Sequence, residues 1–246
     1  MALLDHQIQG GGGGPPLVLI NGLGDLRSVW HHQRRTFARR HRTLSYDHPR
    51  EGGGSIRDHA RALLELIDAS FGSAAVLVGH SFGGRVALAA ALLDPARVLG
   101  LVLAGTSCAR HDTPPELRAR KARSAEAWVN EVFPLLYGPR FIQEQGDRLH
   151  LLARGRAGAE EIAPPELWAA WDGWDEASRV PGISAPCLVI HGEADRVIAP
   201  EHGRRLAALV PSAELAVLPG VGHCPHVEDP EAFNRLVAGF LARITR

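Results

Sequence analysis

The chain is poor in several residue types at once: one lysine against 26 arginines, three cysteines, one methionine and two tyrosines in 246 residues. Net charge is also missing, because 27 basic side chains balance 27 acidic ones and the basic residues are scattered along the chain. That pattern excludes the basic stripe expected of a nucleic-acid or anionic-membrane partner, and it leaves no net field to steer a charged substrate. The lysine deficit speaks of genome base composition more than of function. Cys108, Cys187 and Cys224 are odd in number and lack metal-ligand spacing, which fits unpaired thiols in a reducing compartment and not a disulfide frame. No window reaches about eighteen unbroken apolar residues, and Met1-Ala2-Leu3-Leu4-Asp5-His6-Gln7 has neither a basic stretch nor a long apolar one. The expectation is a soluble cytoplasmic protein. No Gly-x-x-x-x-Gly-Lys-Ser/Thr occurs, and the glycines at 10–14 precede a strand candidate where a dinucleotide fingerprint would follow one, so no cofactor is expected. The histidines outside the motifs below are too dispersed for a metal site.

What is present is a repeated alternation. Short apolar runs at 17–20, 43–47, 74–78 and 98–104 read as buried strands, and 4–9 as a weak first strand, with helical spacing at 28–40 and 58–71 between them. The five glycines and two prolines at 10–16 read as a loose hairpin turn joining the first two strands. From 108 to 185 the strand pattern stops: prolines punctuate stretches of helical spacing with hardly a β-branched run. Alternation then resumes with a strand at 187–191, a helix at 200–209, a strand at 214–218 and a helix at 230–244. The architecture expected is α/β, a doubly wound and mostly parallel sheet from 1–107 and 186–246, interrupted once by a helical insertion at 108–185.

The chemistry centres on Gly79-His80-Ser81-Phe82-Gly83. A buried strand ends there and an alanine-rich helix begins, so Ser81 sits on a strand-to-helix turn too tight for neighbouring side chains, which accounts for Gly79 and Gly83. A serine hydroxyl is a poor nucleophile until a base takes its proton, and the base needs a carboxylate to fix its tautomer. Asp195, in the loop after the resumed strand, is the candidate acid with Glu193 as its rival; His223, in a glycine-rich loop after the last strand, is the candidate base with His226 as its rival. A turn aspartate and a surface histidine are the plain alternatives. The backbone N–H of Phe82 follows the nucleophile and suits a developing oxyanion.

These pieces, in this order, resemble the α/β-hydrolase family, and within it the small capped serine esterases and enol-lactone hydrolases. The resemblance favours Asp195, which ends His191-Gly192-Glu193-Ala194-Asp195, and His223, which ends Gly220-Val221-Gly222-His223. It makes Asn21-Gly22-Leu23-Gly24 the oxyanion loop with the Leu23 N–H as second donor, although Asn21 stands where histidine is commonest. Residues 46–55 resemble another family loop but carry one extra residue. The activity implied is hydrolysis of an ester or lactone through an acyl-serine, with no cofactor and a small molecule as partner. A carbon–carbon bond hydrolase, an acyl-transferring cyclase and a non-catalytic binding module are the other readings; the first of these tends to carry Ser-Gly-Pro-Gly and Gly-Asn-Ser-Met-Gly, and this chain has neither. Trp128, Trp168, Trp171 and Trp174 place four of the five tryptophans in the insertion, the last three at every third residue as an aromatic helix edge, which serves as core or as the wall of an apolar substrate pocket.

Overall fold

A computed structural model describes residues 4–49, 54–118, 128–156 and 163–245. Seven strands form one sheet in the order β1-β3-β2-β4-β5-β6-β7: β1 His6–Gln9, β2 Gly14–Ile20, β3 His41–Tyr46, β4 Ala75–His80, β5 Val98–Ala104, β6 Cys187–Gly192 and β7 Ala213–Leu218. All neighbours are parallel except β1, which runs antiparallel to β3. The central strands are apolar along most of their length because both faces are covered, and successive side chains part to opposite sides. Leu17, Leu19, Val76, Val78 and Val102 meet α1 (His31–Phe37) and the last helix, Pro230–Ile244. Val18, Ile20, Leu77, Leu101 and Leu103 meet α2 (Ile56–Phe71) and α3 (Phe82–Leu93).

Register fixes where a site can form. Ile20 pairs with Gly79, His80 with Ala104, Ala104 with Ile190 and Gly192 with Leu218. The strands therefore end level, and the loops after β2, β4, β5, β6 and β7 open at one edge of the sheet, where ligands bind in such folds. Between β5 and β6 the described residues hold no strand. They hold short helices at Pro115–Arg118, Phe133–Leu136 and Pro165–Asp172 and one longer helix, Pro139–Arg156, kinked at Gln145.

Two expectations are corrected. The helix expected over 28–40 is a 3₁₀ turn, Arg27–Trp30, leading into α1, which stops at Phe37; Trp30 and Phe37 are buried as its apolar face requires. The glycine run is not a hairpin turn, because β3 lies between β1 and β2. The chain instead crosses the backbone that leads into β3, and it passes so close that a side chain at Gly12 would place its Cβ 2.3 Å from the Arg40 carbonyl carbon, while Gly10 adopts a φ of 89°. Nothing stands within 4 Å of a Cβ at Gly11. Gly12→Ala is accordingly expected to cost about 1–3 kcal/mol by overpacking, and Gly11→Ala to be neutral or to stabilise by up to about 1 kcal/mol through the unfolded chain. Denaturant midpoints of the two variants check the contrast.

Candidate active site

Ser81 has φ 51° and ψ −112°, the one non-glycine residue with positive φ among those described. Such a conformation costs on the order of 1–3 kcal/mol and persists only where its surroundings over-determine it. They do: the Ser81 N–H donates to the Ala104 carbonyl at 2.9 Å, and the Ser81 carbonyl accepts from the N–H of Gly84 at 3.0 Å and the Thr106 hydroxyl at 2.7 Å. A Cβ at Gly83 would stand 2.2 Å from the Ile20 carbonyl oxygen, so glycine lets α3 start hard against β2.

Asp195 lies in the loop after β6. Its Oδ1 accepts from the N–H groups of Val197 and Ile198, both at 2.9 Å, and its Oδ2 lies 2.8 Å from His223 Nδ1. The carboxylate can only accept, so Nδ1 carries the proton and Nε2 is left with a lone pair. Burial pushes the Asp195 carboxyl up, but the neighbouring His223 and His191 outweigh it and hold it below the ordinary carboxylate range. Burial likewise pushes His223 below the usual imidazole value, against the pull of Asp195, so the ring is neutral at pH 7. The rivals are elsewhere. The Glu193 carboxylate accepts from the Gly220 N–H at 3.1 Å and braces the turn after β7. The His226 ring is buried against Trp30, 4.2 Å between centroids, and neither nitrogen has a partner among the described residues.

The loop after β2 is stiffened by the Asn21 side chain, whose Nδ2 donates to the Asp25 carbonyl at 2.9 Å, and by His48, whose Nε2 lies 3.0 Å from the Asn21 carbonyl. Asparagine thus supports the loop where the family has histidine. The N–H groups of Leu23 and Phe82 donate to no acceptor among the described residues. Of the loop with the extra residue, 50–53 lie outside the described residues.

Ser81, His223 and Leu23 line one cavity of about 300 Å³. Trp168 and Trp171 line it too, whereas Trp174 lines a separate groove and donates from Nε1 to the Ser107 carbonyl at 3.3 Å. The aromatic edge expected at every third residue is therefore split, because the helix Pro165–Asp172 ends before Trp174. The side chain of Trp128 lies outside what is described.

Three polar residues escaped the sequence reading. His191 closes β6 and sets Nε2 3.2 Å from Asp195 Oδ2 and 2.8 Å from the Ile198 carbonyl. His80 ends β4 with Nε2 2.9 Å from the His223 carbonyl. Glu228 accepts from three backbone N–H groups: Gly138 at 2.7 Å and Gly222 at 2.9 Å through Oε2, and Cys224 at 3.0 Å through Oε1. Burial nonetheless pushes its carboxyl above the ordinary range. The signal available for the two histidines was position: each is the polar end of an otherwise apolar strand beside a motif residue.

Comparison with known proteins agrees with this fold. The chain is 30% identical over 261 residues to the RutD protein of Variovorax paradoxus, named as a carbamate hydrolase, covering 98% of this chain and 97% of that one. It is also 30% identical over 256 residues to polyketide synthase ThaQ of Burkholderia thailandensis, of which it spans 12%. The crystal structure of the enol-lactonase from Burkholderia xenovorans superposes with a TM-score of 0.84 at 26% identity, covering 97% and 96% of the two chains. A sequence profile of the alpha/beta hydrolase family matches residues 17–236. With the level strand ends, the strained serine turn and that match together, the chain belongs to the alpha/beta hydrolase family.

Proposed function

We propose that the protein is a serine hydrolase acting on a carboxylic ester or lactone of moderately hydrophobic character, with Ser81 as nucleophile, His223 as base and Asp195 as the residue that orients the base. The observation that carries this reading is the buried Asp195–His223 pair at 2.8 Å on the cavity that Ser81 also lines. His223 Nε2 takes the Ser81 proton as Oγ adds to the acyl carbonyl; the N–H groups of Leu23 and Phe82 hold the oxyanion, and the imidazolium then protonates the leaving alkoxide. Water attacks the acyl-serine with the same base and releases the acid. Residues 108–185 serve as the cap in which selectivity lies. Its apolar contribution, with Leu117, Val132, Phe133, Trp168 and Trp171 on the cavity, supports a hydrophobic substrate, and the named activity of the enol-lactonase supports a lactone.

A second reading has one observation of its own, the likeness of nearly the whole chain to a segment of a polyketide synthase. It is acyl transfer or cyclisation, in which an internal nucleophile replaces water. Product analysis on a panel of esters, lactones and thioesters separates the two, since only hydrolysis incorporates one oxygen from labelled water.

A fluorophosphonate is expected to modify Ser81, and Ser81→Ala to abolish both labelling and turnover; a folded protein whose Ser81 peptide stays unmodified on mass spectrometry removes the mechanism. Asp195→Asn is expected to lower kcat by on the order of 10⁴, with Glu193→Gln close to wild type.

The pH dependence has a definite sign. The base works as the neutral imidazole, so activity falls as pH falls, and because burial lowers the His223 value the midpoint of kcat/KM is expected below 6.5. A midpoint above 6.5 in a pH–rate profile contradicts the assignment.

The tryptophans divide by position. Trp168→Ala and Trp171→Ala are expected to raise KM more than they lower kcat, since each removes binding common to ground and transition states. Trp174→Ala is expected to cost about 3–5 kcal/mol of stability as a truncated core aromatic and to leave KM unchanged. Kinetics and thermal melts on the three variants give the comparison.

A further inference from the structure

The nucleophile helix carries a charged side chain that acyl chemistry does not use. Arg85 stands one turn after Ser81, its backbone N–H donating to the Ser81 carbonyl at 3.3 Å, and its side chain is wholly buried. Nη1 donates to the Trp171 carbonyl at 2.8 Å, and Nη2 faces Ser107 Oγ at 2.8 Å, His111 Nδ1 at 3.0 Å and the Ala109 carbonyl at 3.3 Å. Every one of these acceptors is neutral. The guanidinium carbon lies 3.4 Å from the centre of the Trp171 ring.

Burying a guanidinium whose hydrogen bonds run to neutral acceptors is expensive even with the carboxylates of Asp172 and Asp175 acting on its charge, and a hydrocarbon of similar volume commonly serves a core as well or better. What a hydrocarbon cannot do is hold Trp171 by its ring face and by its backbone carbonyl at the same time; a planar guanidinium with a rigid fork of donors can. Trp171 is gripped from a third direction by its own Nε1, which donates to Thr113 Oγ1 at 3.0 Å, and both Trp171 and Thr113 line the cavity that contains Ser81. The one turn of α3 between Ser81 and Arg85 thus sets the distance from nucleophile to wall.

We propose that Arg85 is the positioning residue for the Trp171 wall, so that the nucleophile helix itself fixes how large a substituent the cavity accepts. The inference rests on the ester or lactone reading above. It deepens that reading by naming what measures substrate length: a buried cation beneath an indole.

The test uses the full chain and two series of esters, one lengthened on the acyl side and one on the alcohol side, in wild type, Arg85→Met, Trp171→Ala and the double variant. In one series Arg85→Met is expected to raise KM for the longer esters about tenfold while kcat for the shortest ester, and the rate at which a small fluorophosphonate modifies Ser81, stay within about twofold. The double variant is expected to be no worse than Trp171→Ala alone, since both changes remove one coupled unit. Arg85→Lys keeps the charge without the flat face and is expected to shift KM in the same direction, which preserves the test if Arg85→Met does not fold. Unchanged length preference in both series, additive effects in the double variant, or equal loss of kcat on all esters overturns the inference, as does failure of both Arg85 variants to fold. If wild type does not react with the fluorophosphonate at Ser81, the serine-hydrolase reading itself falls and this inference with it; if wild type reacts and the length preference stays put, only the inference falls.

Discussion

The constraint on which the rest depends is the turn at Ser81. A residue with a side chain is held at φ 51° between a strand and a helix that nearly touch, and the contact is possible only because Gly83 lets the start of α3 lie against the Ile20 carbonyl. Much of the neighbourhood exists to hold that turn. β5 supplies the Ala104 carbonyl to the Ser81 N–H, Thr106 supplies a hydroxyl to its carbonyl, and the parallel pairing of β2, β4 and β5 brings those groups level. Strain in one residue is offset by a lattice of ordinary bonds around its backbone.

Around it some buried polar groups support one another. Asp195 is surrounded by two N–H donors and two imidazoles, and a carboxylate so furnished can be ionised inside a protein where an isolated one could not. His191 helps on that account and touches none of the other candidate catalytic groups. His80 acts one step further out, holding the backbone of His223 while its ring lies 4.8 Å from the His223 ring. Precision at Ser81 and His223 is thus a property of the strand ends, and the helical segment between β5 and β6 is free to shape the rest of the cavity.

How much of this the sequence displays follows from what each feature depends on. Buried parallel strands are legible because they must be largely apolar, and 98–104 matches Val98–Ala104; the helices expected over 200–209 and 230–244 likewise match Pro200–Leu209 and Pro230–Ile244. The serine turn, the aspartate loop and the histidine loop are legible because special backbone needs glycine at fixed offsets. The crossing of the glycine run under β3 is not, since pairing partners are a property of the sheet and a local pattern of glycines looks the same in a hairpin. Arg85 is illegible for a related reason: in an alanine-rich helix an arginine reads as the solvent side, and it is enclosed by residues distant in sequence, Ser107, Ala109 and His111 together with Trp171 from 86 residues away. The even spacing of Trp168, Trp171 and Trp174 misled in the same way, for a helix that ends at Asp172 does not extend the pattern to its third member.

The Glu228 carboxylate has a mechanical meaning. Its three donors belong to two bodies, Gly138 at the head of the helix Pro139–Arg156, and Gly222 and Cys224 on either side of His223, whose own N–H reaches the Leu136 carbonyl at 2.9 Å. A partly buried carboxylate releases one of three donors only at a cost, so it acts as a rivet through the head of that helix and the loop that carries His223. The head of that helix cannot lift along this seam without moving His223. The side of the cavity that meets water is a different one, where Leu26, half exposed, forms part of the lining.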